Sequence, residues 1–192
     1  MDRDWMTGLG RYWRPMAAMI VLITASNWLV QFPIEAGAVL GLPILITWAA
    51  FTYPATFLVT DLTNRRYGPA AARRVIYIGF AVGVALSAIL ATPRIAVASG
   101  TAFLVAQLLD VTAFNWLRRQ SWWRAPLFAS LLGSVVDTAA FFSIAFAGTS
   151  VPWDLLAASD LMVKLLYAVF ALIPYRLYMA LVRPVWAEPV RA

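Results

Sequence analysis

Polar residues three or four apart recur inside stretches that are otherwise apolar. Asp61 and Asn64, Gln107 and Asp110, and Ser134 and Asp137 are spaced by three; Asn27 and Gln31, and Asp160 and Lys164, by four. On a helix these spacings bring both members of a pair to one face. A carboxylate accepts hydrogen bonds from N–H groups, a carboxamide donates and accepts, and an aromatic ring stacks. Phe103 lies four residues before Gln107, and Phe141 four after Asp137, so rings share those faces. Such a wall suits a flat solute with polar edges better than a sugar or a bare ion. Gln107, Asp110 and Asp137 are therefore candidate substrate contacts, with Phe103, Phe141 and Asn27 beside them. Asn27 and Gln31 have a second reading, as hydrogen-bonding glue between helices. Asp110 and Asp137 would also serve an aspartyl-type intramembrane enzyme, the remote alternative.

The chain holds neither Cys nor His. That excludes thiolate nucleophiles, the commonest metal ligand and the usual proton shuttle, so no metal and no cofactor are expected. No G-x-x-x-x-G-K-[ST], H-E-x-x-H or G-x-S-x-G motif occurs, so the chain carries no ATPase of its own and no common hydrolase centre.

The elements that position these residues follow from composition. Hydrophobic residues make up 62% of the 192 residues and charged ones 12%, against about half and about a quarter in soluble domains. This is the composition of an all-α integral membrane protein, one domain over 1–192. The start, "MDRDWMTGLGRYWRP", is too polar for a cleavable signal peptide. Six apolar segments, about 15–32, 44–63, 75–92, 99–117, 126–148 and 159–181, each match the roughly 17–25 residues of a membrane-spanning helix. Arg3, Arg11 and Arg14 precede the first, four arginines lie between the second and third, three between the fourth and fifth, and Arg176, Arg183 and Arg191 mark the C-terminal side. The alternate connections hold Arg94 alone. The positive-inside rule then puts both termini in the cytoplasm, and it explains the net charge of +6 without nucleic acid. Trp13, Trp116, Trp122, Trp123, Trp153 and Trp186 fall at the expected interfaces. Pro54 should kink or split the second span. Gly79 and Gly83 form a G-x-x-x-G groove through which a homodimer would pack.

An ionised side chain at the bilayer centre costs about 2.5–3.5 kcal/mol on insertion scales, so each one needs a reason. Asp61 can pair with Arg65, four residues on. Asp160 can pair with Lys164, whose long stem can also snorkel. Asp110 and Asp137 sit at mid-depth, where a polar cavity for substrate is the expectation.

The segments "YPATFLVTDLTNRRYG" (53–68), "AFLVAQLLDVTAFNWLRR" (102–119) and "GSVVDTAAFFSIAFAG" (133–148), followed by Lys164, resemble the YhhQ-type queuosine precursor transporters of the vitamin uptake transporter group. The resemblance covers roughly residues 24–180. It implies a six-helix inner-membrane importer of 7-cyano-7-deazaguanine or a related 7-deazapurine, with a fold related to the substrate-binding subunits of energy-coupling-factor importers. It assigns the motif positions to Asp61, Asn64, Gln107, Asp110, Asp137 and Lys164. Two positions depart from the family pattern. Arg65 stands where an acidic residue is common, which favours an Asp61–Arg65 pair. Ser134 stands where Gln is common, which puts one of the hydrogen bonds to substrate that the resemblance implies in question. Asp61, Asn64, Arg65 and Lys164 are the expected gating or coupling set, with Asp61 able to carry a proton. A solitary secondary carrier is the leading expectation. The alternative is a passenger subunit that borrows an ATPase; "AAMIVLITA" (17–25) lacks the A-x-x-x-A such subunits use for docking.

Overall fold

The computed structural model describes residues 4–39 and 42–182. Arg3, Arg183, Arg191 and Trp186, used in the charge and interface readings, lie outside the described residues. Eight helices and one hairpin follow in the order α1 (Asp4–Leu29), β1 (Pro33–Val39), β2 (Leu42–Thr47), α2 (Ala49–Thr52), α3 (Ala55–Tyr67), α4 (Pro69–Leu90), α5 (Pro93–Leu117), α6 (Arg124–Phe146), α7 (Trp153–Phe170) and α8 (Leu172–Leu181). The described residues are all-α apart from that hairpin. Four stretches are long and apolar enough to cross a membrane: Pro69–Leu90, Pro93–Leu117, Arg124–Phe146 and Trp153–Leu181. The first of these, 22 residues, rises about 33 Å, enough for a hydrocarbon layer of about 30 Å.

The second expected span departs most from its reading. Residues 42–47 are the second strand of an antiparallel hairpin, with Pro33 opposite Thr47 and Val39 opposite Leu42. Pro43 followed by Ile44, Ile46 and Thr47 favours extended backbone, and a short apolar run does not by itself distinguish strand from helix. The helix proper begins at Ala49 and breaks at Tyr53–Pro54. Pro54 has no N–H to give to the preceding turn. The bonds across the break tighten to i−3, from Thr56 N to the Tyr53 carbonyl at 3.0 Å and from Phe57 N to that of Pro54 at 3.1 Å. The split expected at Pro54 is therefore present. The sixth span is broken too, at Ala171, three residues before Pro174, which has no N–H to give to the preceding turn.

Sharp connections hold the helices antiparallel. Gly68, at φ 88°, alone joins α3 to α4, and Pro69 opens α4; that left-handed backbone suits glycine. At the opposite end, the Arg94 guanidinium donates to the Ile144 and Ala147 carbonyls at 2.8 and 2.6 Å. A cation there complements the C-terminal end of α6.

Small residues set the packing, as between membrane helices generally. Ala98, Ala102 and Ala106, four apart on α5, are all buried. A Cβ at Gly133 on α6 would meet the Phe57 ring at 2.6 Å and the Ala106 carbonyl at 3.4 Å. The Gly79–Gly83 groove is filled from within. Met19 and Ile23 of α1 lie 2.7 and 3.4 Å from where Cβ atoms would be, and both belong to a core with Val75, Ile76 and Phe103. A second copy of the chain cannot use that groove as the sequence reading expected, because α1 covers it. Gly133→Ala should destabilise the detergent-purified protein by about 1–3 kcal/mol through overpacking against a rigid ring. Gly83→Ala, whose added methyl meets only Ile23 at ordinary contact distance, should leave the melting temperature within error. Equal losses from both would contradict this packing.

Candidate functional site

The buried face of α3 carries Thr56, Phe57, Thr60, Asp61 and Asn64, a 3.6-residue repeat. It meets a face of α5 with Phe103, Gln107, Asp110 and Phe114, spaced four, three and four. Ser130, Ser134, Asp137 and Thr138 of α6 and Lys164 of α7 are buried as well. Their polar groups divide into three layers. Ser130 and Asp137 are seven residues apart on α6, about 10 Å along its axis.

The first layer centres on Lys164. Its ammonium donates to Asp137 Oδ2 at 2.6 Å, Asp160 Oδ2 at 2.5 Å and Thr138 Oγ1 at 3.1 Å. A lysine has three donors and no acceptor, so all three are used. Thr138 in turn donates to Asp160 Oδ2 at 2.7 Å, and the Tyr53 hydroxyl donates to Asp137 Oδ1 at 2.7 Å. The ammonium also lies 5.3 Å from the Tyr53 ring centroid, a cation–π contact. Lys164 is 5% exposed. It does not snorkel, because Asp137 as well as Asp160 holds it inside the bundle.

The middle layer is Gln107, clamped by two threonines. Thr60 donates to its Oε1 at 2.6 Å, and its Nε2 donates to Thr56 Oγ1 at 2.9 Å. The third layer is Asp61 with Asp110. The Thr60–Gln107 and Asn64–Val111 contacts bracket the two residues on α3 and α5, which sets their buried carboxyl groups against each other across the helix contact. Ser130 Oγ donates to Asp61 Oδ2 at 3.2 Å. Asn64 reaches the Val111 carbonyl only at 3.5 Å.

Several expectations change here. Asp110 and Asp137 do not share one midplane site: Asp137 joins Lys164, while Asp110 joins Asp61. Asp61 is not paired with Arg65, whose guanidinium donates to the Arg118 carbonyl at 2.9 Å; Arg66 donates to the Tyr178 hydroxyl at 3.1 Å. Both point past the end of α3, and Asp61 points into the bundle. Asn27 lies apart from the site and bridges helices, donating to the Ile23 carbonyl and accepting from Ser87 Oγ at 2.9 Å. Phe103 packs against Gly79 and meets the edge of Tyr53 at 6.4 Å. Phe141 stacks with Phe142 and Phe146 near the end of α6.

A narrow, nearly closed cleft lies between α3, α6 and α7–α8; its free space, about 10 Å³ for the centre of a water-sized sphere, holds about one water. Asp61, Ser130, Ser134, Lys164 and Tyr167 form its polar wall, with Phe57 the ring between. Of the residues singled out from sequence, Asp61, Ser134 and Lys164 line it; Gln107, Asp110, Asp137, Phe103, Phe141 and Asn27 do not. Sequence reasoning missed Tyr53, Thr56, Thr60, Ser130 and Thr138. Four of them carried a usable signal: Thr56, Thr60, Ser130 and Thr138 each stand four residues from another polar residue on the same face.

The described residues include no group of three or more acidic ligands able to hold a metal ion. In the Lys164 cluster two carboxylates, Asp137 and Asp160, face one ammonium, which has no donor to spare. On the cleft wall Asp61 is the one carboxylate, beside the hydroxyls of Ser130, Ser134 and Tyr167.

No solved structure matches this chain. The family model described as "Putative vitamin uptake transporter" matches residues 47–92 and 85–179. The chain is 35% identical to the "Queuosine precursor transporter" of Escherichia coli, over 85% of its own length and 83% of the relative's. It is 34% identical to the "Probable queuosine precursor transporter" of Haemophilus influenzae, over 81% and 80%. A Bacillus subtilis protein of the same description is 27% identical over 50% and 54%. These relatives are transporters, which sets the intramembrane enzyme aside. With four apolar helices and buried charges lining a cleft, this chain belongs to the vitamin uptake transporter family.

Proposed function

We propose that the chain imports a 7-deazapurine precursor of queuosine, 7-cyano-7-deazaguanine or a close relative, across a bacterial inner membrane as a secondary carrier. The relatives' names supply the substrate class. The structural observation that supports the reading is the Asp61 carboxylate on the wall of the cleft, beside the Phe57 ring. A 7-deazaguanine presents a ring N–H and an exocyclic amine side by side, and one carboxylate accepts from both. Asp61 is the carboxylate on the cleft wall, so it replaces Asp110 and Asp137 as the proposed acceptor. Phe57 and Tyr167 supply the stacking faces in place of Phe103 and Phe141. Asp137, Tyr53 and Lys164 brace the outer end, and Gln107 with its two threonines fixes α3 against α5.

The six-span topology with both termini cytoplasmic rests on the arginines. Arg65, Arg66, Arg73 and Arg74 gather at the α3–α4 connection, and Arg118, Arg119 and Arg124 at the α5–α6 connection. The second crossing is then the broken run from β2 to α3. A homodimer would have to meet elsewhere than at the Gly79–Gly83 groove.

The test is uptake of labelled 7-cyano-7-deazaguanine in a strain unable to make it, with and without an uncoupler. Accumulation that the uncoupler collapses supports a secondary carrier. Accumulation that needs a co-expressed ATPase would favour the passenger-subunit reading, and no uptake by well-inserted protein would end the substrate assignment.

A further inference from the structure

Asp61 and Asp110 are 2% and 0% exposed. Of their four carboxyl oxygens, Asp61 Oδ2 alone has a hydrogen-bond partner, the Ser130 hydroxyl; Asp61 Oδ1 and both oxygens of Asp110 have none. An ionised carboxylate can only accept. Two of them side by side, away from water, would leave adjacent like charges and three unserved acceptors, each such buried charge costing several kcal/mol. One proton placed between them removes one charge and makes one O–H···O bond.

A second, independent feature points the same way. The Tyr175 hydroxyl on α8 and Asn64 Oδ1 on α3 are fully buried and have no partner. The Tyr175 ring packs against Phe114, four residues along α5 from Asp110. The groups around the pair are thus Asn64 on its own helix, Ser130 on α6 and Tyr175 on α8, with Arg65 and Arg118 joined at the ends of α3 and α5. Tyr175 holds a donor in reserve that the loaded pair does not use, and a pair without its proton would take it.

We propose that Asp61 and Asp110 together carry one proton, held between their carboxyl groups, and that each import cycle delivers that proton from the outer water to the cytoplasm along with the deazapurine. The inference rests on the import reading for its second half only. Asp61 faces both Asp110 and the cleft, so a substrate N–H and the shared proton contend for the same carboxylate, and the break at Tyr53–Pro54 gives α3 a point about which to move. The proton enters from outside, resides on the pair and leaves inside. Nothing is oxidised or reduced, and one positive charge crosses per neutral solute.

Two measurements test this. In the purified protein at neutral pH without substrate, infrared difference spectra should show one protonated carboxyl, lost in Asp110→Asn and unaffected by sodium. No such band in the wild type, or a band displaced by sodium, would overturn the proposal whatever the protein transports. In sealed liposomes at clamped zero potential, a one-to-one stoichiometry predicts about tenfold steady-state accumulation of 7-cyano-7-deazaguanine for each pH unit of inward gradient. Asp110→Asn should flatten that slope to zero, whatever its absolute rate. A slope retained in Asp110→Asn, or accumulation driven by sodium alone, would also overturn it. The band without any uptake would refute the import reading and leave the proton pair standing.

Discussion

Replacing Lys164 by Met should nearly abolish the folded protein in the membrane. Lys164 is the only lysine in the chain, and its ammonium makes ion pairs with Asp137 and Asp160 at 2.6 and 2.5 Å. The methionine has similar length and no charge. It would leave Asp137 buried with only the Tyr53 hydroxyl, and Thr138 without its ammonium donor. Breaking a buried pair by removing one partner costs about 3–5 kcal/mol, because the other charge stays behind. Asp160 is 24% exposed, so water relieves its share and most of the loss comes from Asp137. Lys164→Met combined with Asp137→Asn should therefore recover much of the lost abundance, while Lys164→Met with Asp160→Asn should recover less. Quantitative immunoblots of washed membranes decide it. Equal abundance of the single variant and wild type would show that the cluster contributes nothing to the fold.

Enlarging Ser134 should stop transport without removing the protein. Ser134 is 2% exposed and lines the cleft between Ser130 and Lys164. A leucine there has to project into the empty space beside Asp61, so it should lower uptake per inserted molecule more than tenfold. Ser134→Ala removes a hydroxyl and adds no volume, and should change uptake less than threefold. The two together separate blocked space from a lost hydrogen bond. If leucine transports as well as alanine, the substrate does not pass between α3 and α6.

Much of this architecture is legible from residue spacing, and its failures have physical causes. Pro54 announces the break in the second span because a missing N–H acts locally, whatever the surroundings. The start of that span is misread because Leu42–Thr47 is apolar and too short for periodicity to distinguish strand from helix. The pairs at three and four residues do lie on common faces: Gln107 with Asp110, and Asp61 with Asn64. Which helix each face meets is a tertiary fact, and spacing along one helix carries no information about it. That is why Asp110 and Asp137 look like one site in sequence and stand in different layers in the structure. The Gly79–Gly83 groove shows the same limit. Glycines four apart mark a close helix contact, and the partner proves to be α1 of the same chain. The hydroxyls that complete the layers, Thr56, Thr60 and Thr138, do stand four residues from another polar side chain, but threonine is ordinary in membrane helices, so that spacing alone does not single them out.

The central claim is that this chain alone moves a 7-deazapurine across a membrane. Its most direct test is flux of labelled 7-cyano-7-deazaguanine into sealed liposomes that contain the purified protein and nothing else. Saturable uptake without ATP is expected, chased out by excess unlabelled compound and competed by guanine-like solutes according to how many adjacent N–H donors they keep. Folded, correctly inserted protein that gives no flux above empty liposomes would contradict it.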